Sequence, residues 1–142
     1  MTNRTSTKTT IALTAGALAL SITQAWAQAA VPLAEEPHIN EQLMAAAVGD
    51  VIRNTCPTIS ARMVTVFFKV KELEKYARKA GYQEDEVKAF LKDKSEKARI
   101  KGMAIDYMAA NGAVEGDVDS YCALGNAEIE KDSLIGSLLK AN

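Results

Sequence analysis

Histidine occurs once in this chain of 142 residues and cysteine twice. That scarcity removes most familiar chemistry. His38, Cys56 and Cys122 are too few and too scattered for a zinc site, which draws four ligands from closely spaced pairs. No C-x-x-C is present, so thiol–disulfide exchange lacks its motif. No G-x-S-x-G, P-loop or dinucleotide fingerprint occurs. His38 lies in a proline-bearing stretch, a poor platform for a base that has to be positioned. Glu72 and Glu74 fall on different faces of a helix. Glu128 and Asp132 share one face, where the expectation is a pair of solvated surface acids. The reading is therefore non-enzymatic, with no catalytic residue, metal or cofactor. An enzyme with an unrecognised carboxylate or lysine site is the alternative. A basic excess is also missing. The net charge is −1, which argues against nucleic acid as a partner. Nor is there sustained strand alternation, an Asn-Gly hairpin between apolar runs, or an internal repeat.

Export signals are present. Arg4 and Lys8 form a positive start without acids, and Ile11 to Ile22 is an uncharged, mostly apolar run. Ala25-Trp26-Ala27 then supplies the small residues that signal peptidase needs. The chain divides into a signal peptide (1–27), a flexible arm (28–39) and one helical domain (40–142). The apolar run is short for a bilayer, which takes about 20 residues per helix, so cleavage is favoured over an uncleaved anchor. The expected location is the periplasm. Both cysteines lie beyond the cleavage point, and an even count in an exported chain reads as a disulfide. Two buried free thiols are the alternative.

The body of the chain has helical periodicity. Asn40 is a good N-cap for a first helix ending near Asn54, since Pro57 disfavours helical geometry at Cys56. A second helix begins around Thr58 to Ser60 and stops at Gly81. Ile59, Met63, Val66, Phe67, Val70, Leu73, Ala77 and Ala80 recur at three- and four-residue steps, the mark of a core-facing stripe. This long helix is the expected organising element. A short helix spans Glu84 to Leu91. A fourth starts after Asp93 and stops at Asn111-Gly112. A last helical region is capped by Asp117 or Asp119, interrupted near Lys131-Asp132-Ser133, and ends in the apolar LIGSLL. The fold class is all-α, an irregular bundle of four to five helices with one disulfide between Cys56 and Cys122.

Charge is unevenly spread. Lys69 to Lys101 carries 11 basic and 7 acidic residues, and Gly102 to Asn142 carries 2 and 7. The two halves can complement each other inside the fold. Lys94, Lys97 and Lys101 form one stripe that could instead meet headgroups at a membrane surface or an acidic partner. Phe67 and Phe68 are adjacent, so they face different ways, and Phe68 joins the three lysines as a candidate partner surface. Solvated lysines and a packed Phe68 are the plain readings.

CPTISARM (Cys56 to Met63), Gly81-Tyr82, EKAR (Glu96 to Arg99), YCALGNAEI (Tyr121 to Ile129) and SLIGSLL (Ser133 to Leu139) together resemble a known family. It is an uncharacterised group of small exported alphaproteobacterial proteins, a domain of unknown function. The resemblance implies a secreted helical domain and carries over no catalytic residue. Ser60, Arg62 and Met63 fall in the first cysteine motif, and Gly125 and Glu128 in the second, without assigned roles. Small periplasmic acid-stress chaperones are similar in architecture alone.

Two functional expectations follow. One is a periplasmic helical module that binds another envelope protein or a respiratory-membrane assembly. The other is a stress chaperone acting as a holdase. Partner identity and oligomeric state are not encoded in any motif. N-terminal sequencing of the protein recovered from a periplasmic extract should begin at Gln28. A start at Met1 in the membrane fraction would show that the leader is retained.

Overall fold

A computed structural model describes residues 31–142. The leader, its cleavage point and the first residues of the arm lie outside the described residues. Leu33–Glu35 make one 3-10 turn, and helix α1 runs Pro37–Thr55. The expected flexible arm is corrected from Leu33 onward, because Leu33 is buried and Pro37 already sits in a helix. Proline fits the first helical position, where its missing N–H would have no partner anyway. Glu36 is the cap, its carboxylate accepting from the Ile39 amide at 2.5 Å. Asn40, expected at that position, is buried one turn later. Its side-chain amide donates to the carbonyls of Leu33 and Glu36 at 2.9 and 2.6 Å. The Tyr76 hydroxyl donates to Glu36 at 2.7 Å, and the His38 ring lies against Tyr76. Burial pushes the Glu36 carboxyl up, but donation from Ile39, Tyr76 and His38 outweighs it and holds the group below its ordinary value.

α1 is the central element. It packs against α4 (Lys94–Ala110), α5 (Val118–Glu130), α6 (Leu134–Ser137) and strand β1 (Ile59–Ala61). Its inner face is Ala45, Val48, Gly49 and Ile52, all buried. Small residues at four-residue spacing let neighbouring helices come close on several sides. Ala104 and Met108 of α4, Leu124 of α5, and Ile135 and Leu139 complete the main core with Cys56 and Ile59. A smaller cluster joins Leu33, Ile39, Ala77 and Tyr82 beneath α2 (Met63–Lys79) and α3 (Glu84–Lys92).

α2 is therefore not the organising helix. Only Ala77 of its expected core stripe is buried within it. It also starts later than expected, because Ile59–Ala61 is extended. β1 pairs antiparallel with β2 (Leu139–Ala141), with Ile59 opposite Ala141 and Ala61 opposite Leu139. A three-residue strand whose partner is 80 residues away leaves no local periodicity to read. The remaining boundaries follow their local signals. Asp93 caps α4 by accepting from Ser95 and Glu96 amides at 2.8 and 2.9 Å. Gly81 has φ 96° and closes the α2 end in the left-handed conformation. Asp132, at φ 48°, makes the break between α5 and α6.

Two glycines permit close approach. A Cβ on Gly136 would stand 1.9 Å from the carbonyl oxygen of Glu128, which is backbone and cannot step aside. A Cβ on Gly125 would stand 2.5 Å from Ile59 Cδ1 and 2.7 Å from Ile52 Cγ2, both side-chain atoms. Gly125→Ala should cost about 1–3 kcal/mol as overpacking. Gly136→Ala should cost more, about 3 kcal/mol or above, because α6 must lift off α5. Paired urea titrations measure both, and the reverse order would contradict this packing.

Candidate interaction surface

The residues of the two cysteine motifs converge on one junction. Cys56 ends α1 in extended geometry, and Cys122 lies in the first turns of α5. They are disulfide-bonded, with Cα atoms 5.1 Å apart. Ser60 Oγ donates to Asn142 Oδ1 at 2.6 Å. The Arg62 amide donates to the Leu138 carbonyl, and its Nε to the Leu139 carbonyl, each at 2.8 Å. Gly125 admits Ile52 and Ile59 against α5. Ser60 and Arg62 thus pin the last strand, and Gly125 lets helices meet.

Glu128 is a correction to the expectation of a surface acid. It is 1% exposed. Its carboxylate accepts from the Tyr107 hydroxyl at 2.9 Å and from the Ser133 hydroxyl, with Lys131 Nζ at 3.7 Å. Buried carboxylates are costly unless fully partnered, and this one is. It couples α4, α5 and the cap of α6, where Ser133 Oγ also accepts from the Gly136 amide at 3.0 Å. Both oxygens are engaged inside the fold, so a substrate has no open position there. Burial, then the Glu128 hydrogen bond, pushes the Tyr107 hydroxyl above its ordinary value of 10.0.

What remains free is one side of α2. Met63, Val64, Phe67, Phe68 and Val70 are 65, 72, 57, 59 and 49% exposed. They cover the first two turns and part of the third. The Phe67 and Phe68 rings stand edge to face at 5.7 Å, and Lys71 Nζ is 5.9 Å from the Phe67 ring. Beside Met63 and Val66 a cavity of about 230 Å³ opens, lined also by Ala46, Gly49, Ala61 and Leu139. Phe68, a candidate partner surface whose plain reading is packed, is exposed, and Met63, Phe67 and Val70, expected in the core stripe, are exposed with it. The usable signal was their density: apolar residues at 63, 64, 66, 67, 68 and 70 wrap too far round a helix for one neighbour to cover.

Lys94, Lys97 and Lys101 are exposed on α4, as a stripe. The structure does not join them to Phe68. Lys97 and Lys101 line a separate cavity with Leu43, Phe90, Leu91 and Ile100. His38 is exposed, with its ring against Tyr76. Among the described residues no cluster of three or more His, Cys, Asp or Glu could hold a metal ion. Among them, too, no helix is long and apolar enough to cross a membrane.

A family model described as a family of unknown function (DUF5333) matches residues 31–140. No curated protein and no solved structure matches the chain.

Because its raised value favours the neutral phenol, the Tyr107 contribution to stability is whole below pH 10. It is lost as pH rises through the raised value. Tyr76 and Tyr82 are raised too, chiefly by the Glu36 hydrogen bond and by burial respectively. Denaturation midpoints measured from pH 8 to 11 should fall above pH 10. Tyr107→Phe should flatten part of that slope and leave the rest.

Proposed function

Since the chain belongs to the DUF5333 family, we propose that it is a non-enzymatic helical module that docks another envelope protein through the exposed face of α2. The observation that carries this reading is the uncovered run Met63, Val64, Phe67, Phe68 and Val70. Contiguous apolar area of this kind is rare on a monomer unless something binds it. Its spacing suits an amphipathic helix laid along α2, with anchors at i, i+4 and i+7. The cavity beside Met63 is of a size to take one inserted side chain of such a helix. Lys69 pairs with Glu72 and Lys71 with Glu74 at 3.1 and 2.9 Å, so the flank of the face is close to charge-balanced. Affinity would then come from apolar burial, with the charges excluding wrong partners. The disulfide supports a home in an oxidising compartment, consistent with the export signals.

The same exposed aromatics also favour a holdase, which captures many unfolded clients on an apolar patch. Photo-crosslinking in living cells separates the readings. A crosslinker at Phe68 should trap one defined protein, and one at Asp119 on α5 should trap none. Phe67→Asp should abolish the Phe68 adduct while changing the melting point little. Many different adducts would favour the holdase. A dimer of this chain, or no adduct at either position, would overturn the docking reading.

A further inference from the structure

A second feature adjoins the α2 face at Val70 but involves none of Met63, Val64, Phe67 or Phe68, and it does not rest on the docking reading. A cavity of about 230 Å³ is formed between α1, α3 and α4. Leu43, Ala47, Phe90 and Ile100 are half-buried around it, and Leu91 is 45% exposed. A further cavity of about 130 Å³ shares Leu43, Phe90 and Leu91 and extends to Val70 and Leu73. The two make a narrow apolar trough running under α3.

Lys97 and Lys101 line one end, a helical turn apart. Among the described residues, neither is in an ion pair. The acid at the same end, Glu96, is held at 2.8 Å by Arg99, whose guanidinium also donates to the buried Asn40. Two uncompensated ammonium groups therefore stand over an apolar trough. Lysine stems lie readily along such walls while the charged ends stay in water.

Size selects the occupant. Each of the two cavities is by itself smaller than the roughly 300–1,000 Å³ that takes a drug-sized ligand. An α-helix, about 10 Å across with its side chains, cannot enter it. A single linear hydrocarbon chain can. The geometry points to a binding site for a single-chain anionic amphiphile, its tail in the trough and its carboxylate or phosphate on Lys97 and Lys101.

Calorimetric titration of the purified protein tests this, with octanoate, decanoate and decyl phosphate kept below their micelle concentrations and decanol below its solubility. Decanoate should bind about tenfold tighter than octanoate, from burial of two more methylenes. Comparing decanoate with decyl phosphate shows which headgroup is preferred. Lys97→Glu combined with Lys101→Glu should weaken decanoate at least tenfold and leave decanol unchanged. Melting curves check that the variant is folded. Three results would each overturn the site: no binding at millimolar ligand, equal binding of decanoate and decanol, or unchanged decanoate affinity in the variant. Phe67→Asp should bind decanoate normally, so loss of the α2 partner and loss of the amphiphile are independent readouts.

Discussion

The bond between Cys56 and Cys122 joins positions 66 residues apart at the point where α1 gives way to β1. A closure of that length removes chain entropy worth about 4 kcal/mol from the unfolded state. For a domain of this size, whose total is typically about 5–15 kcal/mol, that is a large share. The bond also has a geometric effect. With Cys56 held on α5, the chain turns at Pro57-Thr58 and enters β1, and Ile59 sits in the core against Gly125. Arg62 then reaches the Leu139 carbonyl, and the C-terminus is fastened as a second strand.

Beyond that junction α2 packs mainly against α1, and its first turns are left uncovered. Its far end returns to Leu33, Ile39 and Tyr82, where α3 covers it. α3 spans only Glu84–Lys92, too short to reach back over Met63 and Phe67. The hydrophobic effect would ordinarily bury five such side chains. Nothing within the described residues does so.

Buried polar groups mark the other two seams. Asn40 satisfies the turn before α1 and receives Arg99 from α4. Glu128 gathers Tyr107, Ser133 and Lys131 around the α5–α6 break. Such groups specify one arrangement of helices because any other leaves a carboxylate or amide without partners. Arg62, Gly125 and Glu128 thus act as joints that hold the shape, while the surfaces proposed to bind lie outside them.

Local signals in the sequence determined the class, the helix stops at Gly81 and Asn111-Gly112, the Asp93 cap, a cap at Asp117 or Asp119 that the structure resolves to Asp117, and the pairing of the two cysteines. Each depends on residues within a turn of one another, or on there being only two thiols to join. The tertiary structure alone decided which helix sits in the middle, where Glu128 is buried, and which apolar stripe goes uncovered. Periodicity reports that a helix has an apolar face, but not whether a neighbour arrives to cover it. α1 and α2 carry similar stripes. The small residues of α1 let several elements close around it, whereas α2 is covered only toward its far end, at Ala77.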